Sequence, residues 1–358
     1  MFSRVSLNAE FIWSKDERKP NTYFLFRREI KIINENDYIF RISACSRYRL
    51  YIDGDFMGDG PPSSPEYVSI CDIRRIKLSM GIHCIAVEVW DIENGSQPFL
   101  IAELLDNDSE TLISTDESWP VFRAPMWKQD TLYDWANAGI PYQEHYDAGK
   151  VPENWMLPGY KDDNWPRAAV REPTPLVKRD IPFIPVIPVY AEKIELIEEA
   201  LGLQNRMRSQ DLSISLSMKG KQHEYTIIEN SENLLKEHGT SRFGSSTKHN
   251  NHDFSMDGYY DPCIILDFQK IITGYIEFCM DGIKNGILDV GYAERLIDGH
   301  FVNSLEGLHG SDRYIMKGGK ETYRFFTWKA FRYIKLRFRD CFNPVTVYYN
   351  IFELIGLS

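Results

Sequence analysis

No Cys-x-x-Cys pair occurs in the sequence. Its six cysteines, Cys45, Cys71, Cys84, Cys263, Cys279 and Cys341, are scattered, so neither a metal ribbon nor a dithiol redox motif is written there. A chain of 358 residues needs no disulfide framework, and reduced, mostly buried thiols are expected. No stretch approaches the roughly 20 apolar residues that span a bilayer. The opening Met-Phe-Ser-Arg-Val-Ser-Leu-Asn-Ala-Glu has no apolar run of signal-peptide length, so a cytoplasmic location is expected. Positive charge is in deficit: 41 Lys and Arg stand against 52 Asp and Glu, a net charge of −11. Such a chain repels phosphate backbones and anionic lipid, which argues against nucleic acid or a membrane as a partner. P-loop, dinucleotide fingerprint and nucleophile elbow are all missing. Neutral ligands remain.

What the chain has in excess is aromatic residues, 13% of the total. Aromatic side chains fit pleated surfaces, and their faces also stack on sugar rings. Period-two alternation dominates. Ile42, Ala44, Ser46, Tyr48, Leu50 and Ile52 fall on one face of an extended segment ending at Asp53-Gly54, a strong hairpin signal. Ile85, Val87 and Val89 line another strand, and 99–105 and 111–114 continue the series. Residues 173–188 carry five prolines, which prevent helix and interior strand and leave a stiff connector. Tyr190 to Leu203 alone has a helical composition. A second strand series begins at Asp211-Leu-Ser-Ile-Ser-Leu and runs through 264–268, 275–278, 287–290, 314–316, 323–326 and 333–338, while 229–260 reads as polar loop. Short strands separated by Gly, Pro and Asn predict an all-β protein of two tandem β-sandwiches. The boundaries expected are 1–172, a proline-rich connector at 173–190, and 191–358.

Specific strings carry a resemblance. Tyr48-Arg-Leu-Tyr-Ile-Asp-Gly-Asp-Phe-Met-Gly resembles a hairpin of jelly-roll modules in sugar-processing enzymes, and Thr115-Asp-Glu-Ser-Trp119 a strand entry of that fold. Tyr146-Asp-Ala148, Trp155, Pro158-Gly-Tyr and Asp162-Asp-Asn-Trp165 are similar to a segment of bacterial α-L-rhamnosidases. Leu266-Asp-Phe, Gly274-Tyr, Gly291-Tyr-Ala-Glu294, Asp298-Gly299, Asp312-Arg-Tyr-Ile, Lys317-Gly-Gly and Phe331-Arg-Tyr-Ile follow the order found in the β domains ahead of that family's catalytic barrel. The resemblance implies a galactose-binding-like sandwich and then a concanavalin-like supporting domain of a family 78-like glycoside hydrolase. The family's acid and base sit in an (α/α)6 barrel that has no counterpart before Leu357-Ser358, so no catalytic residue is carried over. A cut chain, a split gene or an accessory protein would each read this way. The chain alone is expected to be inactive, with a barrel in cis or in trans as its partner.

Binding residues are sought in the aromatic stretch 135–155. Trp135, Tyr142, Tyr146 and Trp155 could form a platform, and Glu144 and Asp147 could take hydroxyl hydrogen bonds from a rhamnose-bearing glycan. Rhamnose-binding modules related by the resemblance use calcium, and Asp147 is the candidate ligand, although calcium takes about 6–8 oxygens and one Asp specifies nothing alone. A packed aromatic loop is the competing reading. Trp119 and Trp165 follow turns and are expected to plug a core, with Asp162 and Asp163 as turn formers. Glu294 with Asp298, and Glu144 with Asp147, are acid pairs near in sequence, but hydrolysis needs two carboxylates opposed across a ring about 5–9 Å apart. His249, His252 and Asp253 lie in a polar loop lacking the four closed ligands of structural zinc. Gly318-Gly319 reads as a turn. A free-standing carbohydrate-binding protein and a structural module without ligand are the alternatives to a rhamnosidase supporting region.

Overall fold

The computed structural model describes residues 3–65, 67–92, 97–132, 142–183, 185–202, 212–247, 258–304 and 310–355. Strands dominate, as expected, and the α-helix among the described residues is six residues long, Leu212–Ser217. The chain divides into two compact units. The first is Met1–Pro125 with Pro152–Pro182, and the second is Met126–Val151 with Phe183–Ser358. The stretch 126–151, drawn with the first domain from sequence, therefore clusters with the second. All six cysteines are free, and all but Cys45 are buried.

The first unit has a seven-stranded and a five-stranded sheet. Strands Thr22–Ile32 and Gly81–Asp91 pair over their full lengths. Phe24, Phe26, Val87 and Val89 of this sheet share a core with Phe40, Ile42, Ala102 and Leu104 of the other. The hairpin at Asp53-Gly54 forms as expected: Ile52 pairs with Asp55, and both turn residues have positive φ, 52° and 89°, the signature of a type I′ turn. The segment 42–52 is not one strand, however. It breaks between Asn36–Ala44 and Arg47–Ile52, which join different sheets. Trp119 is buried, with its indole N–H donating to the Ser114 carbonyl at 2.9 Å. Trp165 stacks on Phe122 with ring centroids 5.0 Å apart.

Asp162 does more than shape its turn. Its carboxylate meets the guanidinium of Arg27, which is itself buried. The same guanidinium donates to the carbonyls of Trp155, Leu157 and Tyr160 at 3.0, 3.1 and 3.2 Å. One cation thereby satisfies a loop that has no ladder of its own.

The second unit is organised on one long strand, Tyr260–Gly282. Its first half pairs with Lys193–Leu201 and Lys329–Arg339, and its second half with Val345–Ile355 and Gly319–Arg324. The change-over is a bulge between Asp267 and Ile272, where Gln269 takes a left-handed φ of 59°.

Two elements differ from the sequence reading. Residues 193–201 are a strand, not a helix. Glu198 and Glu199, which looked like helix formers, are buried: Lys335 meets Glu198, and the amides of Tyr225 and Thr226 donate to Glu199 at 2.6 and 2.5 Å. Conversely, the alternating Leu212–Ser217 is helical. Its serines work as side-chain partners rather than as strand positions, Ser215 accepting from Arg337 and Arg339 at 3.2 and 3.1 Å. The polar stretch 229–260 also holds a short strand, Ser241–Gly244. The proline-rich connector contributes edge strands at Leu176–Lys178 and Val186–Val189, and Pro188 sits where an edge tolerates a missing donor.

Candidate functional site

The stretch 142–147 is sewn to the edge of the second unit's sheet. His145, Tyr146 and Asp147 pair in parallel with Arg313, Tyr314 and Ile315. Alternation along the strand then sends neighbouring side chains in opposite directions.

Glu144 points inward and is 1% exposed. It accepts from the amides of Phe326 and Thr327 at 2.6 and 2.8 Å, from the Thr327 hydroxyl, and from Lys329 Nζ at 3.3 Å. Its own amide donates to Asp312 at 2.8 Å. Lys329 also lies 3.1 Å from Asp312, and the Tyr292 hydroxyl donates to that carboxylate at 2.8 Å. Burial raises the Asp312 carboxyl to about 6, with Glu144 adding repulsion and Lys329 opposing. The two acids thus share one buried lysine, a structural ion cluster rather than an acid and base opposed across a sugar.

Tyr146 is half-buried in an aromatic wall. It lies 4.9 Å from Trp127, 4.4 Å from Tyr323 and 5.9 Å from Tyr314, nearly parallel to the last. Tyr142 is also half-buried. Asp147 caps the short helical turn Ala148–Lys150, accepting from Gly149 N at 3.1 Å and pairing with Lys150 at 3.1 Å. Trp155 belongs to the first unit, buried beside Tyr51 and Trp165. Trp135 lies outside the described residues, as do His249, His252 and Asp253. The structure therefore brings Tyr142, Glu144, Tyr146 and Asp147 onto one short segment, and places Trp155 in a different unit.

For calcium, Asp147 offers one carboxylate already engaged by an amide and an ammonium, against a need for about 6–8 oxygens. Among the described residues no trio of His, Cys, Asp and Glu is disposed around a common point, so this donor set does not fit the ion. Glu294 is exposed beside the small hairpin of Leu296–Ile297 and His300–Phe301, whose turn is Asp298-Gly299. Gly318 and Gly319 form a left-handed turn, with φ of 98° and 79°.

Sequence reasoning missed a buried charge network behind this edge. Asp289 receives Arg313 at 2.6 and 2.9 Å and also pairs with Arg339. The neighbouring guanidinium groups hold its carboxyl well below the usual range against the opposing effect of burial. Asp261 accepts from Arg337 at 2.8 Å, and Asp267 from Arg332 at 2.9 and 3.0 Å. His145 is buried; burial, followed by the nearby Arg313, pushes its imidazole down to about 3. Several strings quoted above, Asp267, Tyr292, Asp312-Arg313-Tyr314 and Arg332 among them, are members of this network. Their order was a readable signal, but their pairing was not.

Comparisons agree with this picture. Residues 260–347 match the model of the bacterial α-L-rhamnosidase concanavalin-like domain. The fold is similar to a family 78 rhamnosidase of Bacillus sp. GL1 at 18% identity and a TM-score of 0.74, over 98% of this chain and 56% of that one. An α-L-rhamnosidase of Dictyoglumus thermophilum gives 19% identity and a TM-score of 0.62, and one of Aspergillus terreus 17% and 0.59. Each alignment covers 96% of this chain and only 35% and 36% of those enzymes. No curated protein sequence matches. The chain thus spans from about a third to a little over half of the rhamnosidases it resembles. The resemblance to the β domains of bacterial α-L-rhamnosidases holds in sequence over 260–347 and in fold along nearly the whole chain.

Proposed function

We propose that the chain is the non-catalytic region of an α-L-rhamnosidase-like glycoside hydrolase, holding rhamnose-bearing saccharide and supporting a catalytic (α/α)6 domain supplied in cis or in trans. The observation that supports this reading is the match of both β units, together, to the Bacillus rhamnosidase. No catalytic step is assigned to this chain, because Glu144 and Asp312 are committed to Lys329 and Asp289 to two arginines.

The test is calorimetric titration of the purified chain with L-rhamnose, galactose and xylose, with calcium and again with chelator, beside an assay on an aryl α-L-rhamnoside. The expected results are saturable heat with rhamnose and no turnover. Since Asp147 is already engaged, the heat should not depend on chelator. Turnover by the clean chain would overturn the non-catalytic reading. A structural module without ligand is the second reading, favoured by the inward Glu144 and the packed Tyr146, and silence with every sugar would decide for it.

A further inference from the structure

At one end of the first unit three turns meet: 33–35, the Asp53-Gly54 hairpin, and Ser79-Met80 between strands Ser69–Leu78 and Gly81–Asp91. They enclose a cavity of about 300 Å³ whose wall is Ile52, Met57, Ile76 and Leu78. Its rim carries Glu35, Asp53, Asp55, Lys77 and His83. Glu35 and Lys77 neutralise each other at 2.8 Å. The two nitrogens of His83 face Asp53 Oδ2 at 2.5 Å and the Ser79 carbonyl at 2.9 Å. Both partners are acceptors, so the ring is held as a cation donating on both sides. Asp53 Oδ1 accepts from Cys84 N at 2.7 Å. Its carboxylate is thus fixed at the rim with lone pairs to spare, since an ionised carboxylate offers about four acceptor positions. Asp55 is exposed beside it.

Pre-oriented acceptors over an aliphatic wall, without Trp, Tyr or Phe in the lining, do not suit stacking on a sugar face. They suit a small polyol that carries one apolar group. A cavity of this size sits at the lower end of ligand pockets, about 300–1,000 Å³, which is room for one ring rather than a chain. We propose that this cavity is a monosaccharide subsite selective for 6-deoxyhexoses, with the ring methyl on Ile52, Met57, Ile76 and Leu78 and the hydroxyls donating to Asp53 and Asp55. The proposal rests on the saccharide-binding part of the reading above and moves the site away from the aromatic segment 142–147.

L-Rhamnose and L-mannose differ only by the 6-hydroxyl, so this pair isolates the methyl contact. An apolar pocket rejects a ligand with an added hydroxyl by about 10- to 100-fold. The experiment titrates the full chain with both sugars by calorimetry and follows the His83 ring resonances by NMR, assigned by their loss in His83→Gln. Met57→Glu and Asp55→Ala are titrated alongside. Asp55 is exposed, so its replacement should leave folding intact even if the glutamate at 57 does not. The expected result is L-rhamnose binding about tenfold or more tighter than L-mannose, weakened in both variants, with His83 shifts saturating at the midpoint of the heat. Equal affinity for the two sugars would overturn the 6-deoxy selectivity. Rhamnose heat unchanged in Asp55→Ala, with His83 unmoved, would overturn the subsite while leaving saccharide binding by the chain intact. No heat with either sugar would overturn both.

Discussion

Glu144 shows how one residue can look like a ligand and be a keystone. Local sequence presents an acid among aromatics. Nothing within ten positions announces that the Thr327 amide, 183 residues away, claims it. The partner set was illegible because it is assembled by strand pairing. Removing a buried partner leaves an ammonium and two amides short of an acceptor, which typically costs about 3–5 kcal/mol. Glu144→Ala should therefore lower the unfolding free energy by that amount in urea. A loss below about 1 kcal/mol, the range of an exposed pair, would mean the cluster is solvated. Trp119 and Trp165 were legible, since a bulky apolar ring after a polar turn has few places to go but inward.

Among the elements, strand alternation was readable wherever one face is apolar, as in the strand of Ile85, Val87 and Val89, all fully buried. It failed where the buried residues are charged. Glu198 and Glu199 face the interior, so the 193–201 strand has no apolar period to read, and composition pointed to helix. The long 260–282 strand was read as two pieces, because its bulge interrupts the pattern. That bulge depends on Gln269 holding a left-handed backbone, with its amide N and Nε2 each donating to Asp267 at 2.7 Å. A β-branched residue resists this conformation at roughly 1–2 kcal/mol, whereas glycine accepts it. Gln269→Val should cost at least that much in thermal or chemical unfolding, and Gln269→Gly clearly less. Equal losses would show that the side-chain bonds, not the backbone angle, hold the bend.

Over the whole molecule, charge works in opposed directions. Asp289 and Asp267 have depressed carboxyls, so their stabilisation is present above the unfolded carboxylate range and is lost as pH falls through their folded values. His145, held neutral down to about 3, acts in the same sense: between 6.5 and 3 the unfolded chain takes the proton and the folded one does not. Asp312, raised to about 6, opposes them, contributing stability below that value which is lost as pH rises through it. The net curve hides each part, but a difference exposes one. Relative to native, His145→Leu should gain about 1.4 kcal/mol per pH unit on acidification from 6.5 to 3, measured by urea unfolding at each pH. A constant difference across that window would mean that His145 is protonated in the fold. The sandwich class and the order of the strings were legible at this scale. The interleaving of the two units was not, because 126–151 carries no composition shift to mark where it pairs.

That interleaving sets a timetable for synthesis. The strand His145–Asp147 leaves the ribosome roughly 160 residues before its partner Ser311–Ile315 exists, and at about 5–20 residues per second the wait is on the order of ten seconds or more. Throughout it, Trp127 and Tyr146 have no wall to join, while the flanking segments 1–125 and 152–182 can already close around their own core. The nascent chain must therefore carry an aromatic loop held open on a finished domain, a natural client for a chaperone that recognises exposed rings.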